Sequence, residues 1–313
     1  EFMQAFWDIE EAQAKAIHCL ASFVRQERAL PYLLTIAELI TFAMRTHVDS
    51  LQLQVDGCSL LLHLFRQALE QDVVMVLDEN VISNLLDTVR KHSENEELLP
   101  SACTLLMMIS ASEAAAAHLR KAGVISDLLS ILREFLHNEK ICFSCCGLLW
   151  SLAVSENTTD QALLKNAVPV ISAVLQEHLQ NGVVTESACS ALWALSLQGC
   201  LAENEYEPTT ALLLNALRMS PERPVLVKSA CLALASLLRL SEIAALRFIT
   251  DSEGNGINLI KETCRLHFND PEVVKSICVL MNEMVHYDDV VLDMLSQKIE
   301  ELLSEIKTHF PSS

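Results

Sequence analysis

The apolar residues of this chain fall at helical spacing. In Val124-Ile125-Ser126-Asp127-Leu128-Leu129-Ser130-Ile131-Leu132, positions 125, 128, 129 and 132 are apolar, so one stripe of a 3.6-residue helix is hydrophobic and the rest is mostly polar. Pro169 opens a comparable stretch and suits a first helical turn, where its missing N–H costs nothing. Other stretches are apolar nearly all round. In Ala188 to Leu197 both the 188/191/192/195 face and the 189/193/197 face are uncharged, which predicts a helix that is covered on several sides or lines a groove.

These predicted helices repeat. Cys58, Cys103, Cys146, Cys189, Cys231 and Cys278 form a column with steps of 45, 43, 43, 42 and 47 residues. Ile82, Ile125, Val168 and Ile257 each stand 21 residues before a cysteine of that column, so one unit recurs with its internal geometry kept. Each unit predicts three helices. The first is short and polar-flanked, as in Glu113 to Lys121 or Thr158 to Lys165, and ends at Asn80, Gly123 or Asn166, residues able to take the left-handed conformation. The second carries the stripe described above, and the third is the most apolar. A unit of this size cannot bury its apolar surface alone, so successive units must stack into an α-solenoid. Six units fit residues 30–287. The half-units Glu10 to Gln26 and Asp288 to His309 mark residues 1–29 and 288–313 as caps. In the rear cap Asp293, Lys298, Glu300, Glu301, Glu305 and Lys307 put charge on a face that meets no further repeat. Glu1-Phe2 ahead of Met3 reads as a cloning scar, and with the polar Pro311-Ser312-Ser313 it marks the chain as the C-terminal piece of a longer protein.

Composition narrows the class. With 51% hydrophobic and 20% charged residues over 313 positions the chain folds around a core, despite a net charge of −19. Seven glycines and eight prolines leave little for hairpins or phosphate-cradling loops, and 5% aromatics suit thin helical layers. The excess of 41 acidic over 22 basic side chains repels nucleic acid and anionic membranes. No uncharged apolar run reaches the about 18 residues of a membrane span. Eleven cysteines without a secretory signal read as reduced thiols of a cytoplasmic or nuclear protein.

Gly123-Val124-Ile125 with Leu128 and Leu132, then Cys146 to Leu152, and again Asn166-Ala167-Val168-Pro169 with Ile171 and Leu175, then Ala191-Leu192-Trp193-Ala194-Leu195, resemble the armadillo repeat. The resemblance is carried mainly by residues 71–199 and extends to 287. It implies an all-α fold, a right-handed α-solenoid of armadillo-like (ARM/HEAT) repeats. In the family's peptide-binding members, a Trp and an Asn four positions later on the third helix grip an extended peptide. Here the Trp column is Leu62, Met107, Trp150, Trp193, Ala235, Asn282, and the Asn column is Arg66, Ala111, Val154, Leu197, Arg239, His286. No Asn is left in the second column, so that grip on an extended basic peptide is not implied. The register implies instead a partner-binding groove of Met107, Trp150, Val154, Trp193, Leu197 and Arg239, apolar in its middle and suited to one side of a partner helix or to another segment of the parent protein. The acidic, Cys-rich array is also similar to the C-terminal armadillo region of serine/threonine kinase-like domain-containing proteins, which implies a kinase fold earlier in the parent.

The remaining chemistry is sparse. Trp150 and Trp193 serve either as binding anchors or as inter-repeat core. Cys142, Cys145 and Cys146 near His137 invite a zinc site, but they share one helical face without a second ligand pair, and buried thiol packing explains them better. The ten histidines show no metal or catalytic spacing, and no nucleophile elbow, phosphate loop or kinase signature occurs, so no catalytic residue and no cofactor is proposed. Gly254-Asn255-Gly256 reads as a turn. The acidic runs Glu94/Glu96/Glu97, Glu203/Glu205/Glu207 and Asp251/Glu253 read as solvated inter-helix turns, or as an edge for a basic partner. Two functions stay open: a non-catalytic scaffold that binds a protein partner in an apolar groove, and an accessory module that packs against a kinase-like domain of the same chain.

Overall fold

The computed structural model describes residues 2–24, 32–71, 73, 79–154 and 161–310. Among these the chain forms nineteen α-helices and no strand, an all-α fold of the armadillo type. It divides into two compact units, Glu1–Ile131 and Leu132–Ser313. The expected start of a helix at Thr158, the end of the front half-unit at Arg25 and Gln26, Glu1 of the scar and the Pro311-Ser312-Ser313 tail lie outside the described residues. So does the border of the front cap at residues 29 and 30.

The first unit runs through α1 (Phe2–Ala5), α2 (Glu10–Val24), α3 (Leu33–Thr46), α4 (Leu51–Glu70), α5 (Glu79–Lys91), α6 (Leu98–Ile109) and α7 (Glu113–Lys121) into α8 (Val124–Glu134), whose last turn crosses into the second unit. Here α4 packs on α2, α3 and α6, and α5 lies against α3, α6 and α7. Leu53, Cys58, Leu61 and Leu64 of α4 are buried, as are Leu98, Leu99, Cys103 and Leu106 of α6. Gln54, also buried, donates to Met44 O and His47 O and accepts from Thr88, so its amide joins three helices.

The second unit follows with α9 (Glu139–Ala153), α10 (Gln161–Lys165), α11 (Ala167–Glu177), α12 (Gly182–Leu197), α13 (Glu203–Met219), α14 (Pro224–Leu240), α15 (Glu242–Ile249), α16 (Gly256–Leu266), α17 (Pro271–Met284), α18 (Asp288–Ser296) and α19 (Ile299–His309). Three of the four third helices start at side-chain caps: Asn138 accepts from Lys140 and Ile141 N–H, Asn181 from Val183 and Val184, and Asp270 from Glu272 and Val273, while α14 starts at Arg223 without one. The two reference columns sit in the core. Cys58, Cys103, Cys146, Cys189 and Cys231 are fully buried, and so are Ile82, Ile125, Val168 and Ile257, while Cys278 is half-buried.

Four expectations are corrected. Of the helix-ending residues only Gly123 is left-handed, at φ 81°; Asn166 is right-handed, at φ −70°, and Asn80 is the second residue of α5. Between Glu203 and Met219 no break separates a first and a second helix: the chain stays helical through Pro208, its sixth residue, although that proline has no N–H to offer Asn204 O. Glu203, Glu205 and Glu207 are therefore helical, with Glu205 accepting from Ala202 N–H, rather than in a turn. Asp251 is not a solvated turn residue: it is buried between Arg218 at 2.5 Å and Arg247 at 3.2 Å. The Gly254-Asn255-Gly256 turn stands as expected, with Asn255 capping α16 and Gly254 at φ 133°. Among the described residues no helix is long and apolar enough to cross a membrane.

Candidate protein-binding face

In the second unit α9, α12, α14 and α17 pack side by side, each against the next. Small side chains allow the close approach, and polar groups stitch the seams. Ser187 donates to Phe143 O and Gln198 to Ala153 O between α9 and α12, both at 3.0 Å. Ser190 shares a hydrogen bond with Ser229, and Arg223 pairs with Glu186, each at 3.0 Å, between α12 and α14. Lys228 reaches Glu272 at 3.0 Å, and the Tyr287 hydroxyl donates to Leu238 O, between α14 and the end of α17.

Side chains at the C-terminal ends of these helices stay in solvent. Trp150 and Val154 stand near the end of α9, 37% and 45% exposed, and Leu197 ends α12 at 54%. Trp193 is half-buried one turn before Leu197, and Arg239 is exposed on α14. The structure thus places five of the six expected groove residues on three neighbouring helices of one unit. The sixth, Met107, is half-buried on α6 in the first unit. Two members escaped the sequence register. Leu240 at the end of α14 and Val285 just past α17 are 57% and 52% exposed, so four successive third helices end in an exposed aliphatic side chain. The fixed offset pointed to Arg239 and His286 instead, each one residue away; counting back from the helix ends finds the pair.

Beside these ends lies a polar hollow of about 470 Å³ lined by Glu242, His286, Tyr287, Asp288 and Asp289, with Ala245, Leu246 and Val290 as its apolar floor. Burial first, then the Glu242 and Glu283 carboxylates, push the Tyr287 phenol above its ordinary value.

Four histidines have a shared role that spacing did not disclose. His47, His178 and His267 cap α3, α11 and α16, and His92 directly follows α5. Each reaches a backbone carbonyl about one repeat earlier: Trp7 O at 3.0 Å, Leu136 O at 2.7 Å, Pro221 O at 2.7 Å and Val48 O at 2.9 Å respectively. With a carbonyl as acceptor the Nε2 atom carries the proton. The signal was present, because all four end the second helix of a unit, but side-chain reach is not visible in spacing alone.

The thiols offer no reactive centre in the core. Burial pushes Cys58 up to about 12 and Cys142 up to about 11, and it holds Cys146, Cys189 and Cys231 well above the ordinary thiol value. His137 pairs with Glu177 at 2.7 Å instead of joining the cysteines. Among the described residues no group of three or more His, Cys, Asp or Glu is placed to hold a metal ion.

Residues 156–313, half of the chain and most of the second unit, match the family described as LRRK2 ARM repeat.

Proposed function

Because the chain belongs to the LRRK2 ARM repeat family, a non-catalytic helical-repeat region of kinase-containing proteins and a type of module that generally binds proteins, we propose that it is an interaction scaffold whose partner seats on the exposed ends of α9, α12 and α14. The observation that supports this reading is the run of exposed apolar side chains Trp150, Val154, Leu197 and Leu240 along one row of packed helices. Large apolar groups left in water at neighbouring positions mark interaction surfaces, and tryptophan contributes heavily at them. Trp193 and Arg239 belong to the same proposed face, and Met107 is its proposed counterpart in the first unit. The partition into caps at 1–29 and 288–313 around six repeats at 30–287 is part of this proposal, as is a cytoplasmic or nuclear setting, which the eleven free thiols favour.

The test compares melting and capture on the same proteins. Trp150→Ala combined with Leu197→Ser leaves the melting temperature within about 2 °C of the parent, as surface changes do, and removes the proteins that the parent captures from cell extract. Unchanged capture at equal stability overturns the reading. A second reading is favoured by the kinase-containing family to which the match belongs: the same face packs on the kinase-like domain of the parent chain. Mixing the separately produced domain with this chain and with the double variant decides it, through a complex that forms only with the former.

A further inference from the structure

The face contains more information about its occupant than its apolar character. Its seam polar groups are already committed to one another: Ser187 to Phe143 O, Gln198 to Ala153 O, Ser190 to Ser229, Arg223 to Glu186 and Lys228 to Glu272. An extended segment needs donors and acceptors along its whole backbone, whereas four successive helices of this row end in the aliphatic side chains Val154, Leu197, Leu240 and Val285, which offer none. A helix satisfies its own backbone internally and needs only an apolar track.

Charge sets the other half. At the α15–α18 end stand the carboxylates of Glu242, Glu283, Asp288 and Asp289, and among the described residues none of them has an ion-pair partner. The nearby cation Arg247 is taken up by Asp251 and Glu207. Arg239 is the exposed positive group on the track, and His286 lines the hollow. The apolar end at Trp150 and the acidic end at Asp288 are separated by three interhelical steps of about 8–10 Å each, the length of a helix of about 18 residues.

Resting on the reading of this face as a docking surface, we infer that its occupant is a basic amphipathic helix of a protein partner, laid across α9, α12, α14 and α17. Its apolar side covers Trp150, Leu197 and Leu240, and its lysines or arginines lie over Glu242, Asp288 and Asp289.

The test uses the whole chain and three fluorescein-labelled model peptides of about 18 residues: leucine and lysine in helical phase, the same pattern with glutamate for lysine, and the lysine peptide broken by two central prolines. The lysine helix is expected to bind, with the other two weaker by about tenfold or more. Glu242→Gln with Asp288→Asn and Asp289→Asn weakens the lysine helix about tenfold and flattens its salt dependence. Glu94→Gln with Glu96→Gln and Glu97→Gln removes as much charge elsewhere and leaves binding unchanged. Arg239→Ala tightens binding by about twofold to threefold, an outcome that a damaged fold cannot mimic.

Equal binding of the glutamate or proline peptide overturns the inference, and so does an equal loss from the two carboxylate variants. Failure of the lysine helix to bind overturns it as well. If both charged peptides bind and Trp150→Ala with Leu197→Ser abolishes both, the docking face stands and only the basic partner falls. If that double variant changes neither, both readings fall.

Discussion

Asp251 shows how a single carboxylate is held inside a helical repeat. Its side chain is almost wholly enclosed, with Arg218 and Arg247 at ion-pair distance, and Arg218 also reaches Asn215 at 2.8 Å and Gly254 O at 2.8 Å. Removing Asp251 leaves Arg218 without a carboxylate partner and Arg247 with only Glu207. Asp251→Ala is expected to cost about 3–5 kcal/mol of stability in the second unit, read as a large drop in the denaturant midpoint; a loss under about 1 kcal/mol, the size of a surface pair, contradicts the buried network. Two glycines give a sharper contrast. A Cβ on Gly256 would lie 2.5 Å from Phe248 O, against backbone that cannot yield, whereas one on Gly199 meets nothing and strains only its φ of 64°. Gly256→Ala should destabilise by about 3 kcal/mol or more and Gly199→Ala by about 1 kcal/mol, compared by chemical denaturation. At this scale the cysteine column was legible because a small apolar residue at fixed phase has one use in a packed repeat. Asp251 was not, because Arg247 stands four residues away but Arg218 comes from a helix that only the fold brings near.

Among the elements, the third helices α9, α12 and α17 and the second helix α16 were readable because they announce their own starts. Asn138, Asn181, Asn255 and Asp270 each accept two backbone N–H groups at the head of a helix. First helices are short and weakly marked, and the continuous α13 could not be foreseen because an interior proline such as Pro208 ordinarily signals a helix boundary. The histidine bonds belong to this scale too. His178 is buried, and its loss leaves Leu136 O without that donor, so His178→Ala should cost about 1–3 kcal/mol. His137, exposed and paired only at the surface with Glu177, should cost less than about 1 kcal/mol on the same change. Equal thermal shifts for the two variants contradict the distinction. The candidate face was half legible: Trp150, Val154, Trp193 and Leu197 came from register, while Leu240 and Val285 were lost when the repeat length changed from 42 to 47 residues and the helix ends slipped by one position against it.

For the molecule as a whole, the buried thiols tie stability to alkaline pH. Cys58 in the first unit and Cys146, Cys189 and Cys231 in the second keep their protons in the fold well above the ordinary thiol value, burial being the main cause. Above about pH 8.5 the unfolded chain releases thiol protons that the folded chain retains. The unfolded state then binds fewer protons, so stability is untouched below that pH and falls as pH rises toward the folded values, by about 1.4 kcal/mol per unit for each thiol. Melting temperature should drop steeply from about pH 9 to pH 11, and Cys189→Ala should make the slope shallower by one proton. A flat profile over that range contradicts burial of the column.

The histidine bonds carry a direction. In each case the donor is the later residue and the acceptor a carbonyl at least 40 positions earlier, as with His47 to Trp7 and His267 to Pro221. On the ribosome, an imidazole therefore leaves the exit tunnel after its acceptor has been made. The carbonyl of one unit thus waits for about one further repeat of chain, and the bond between two units can close as soon as the later of them has emerged.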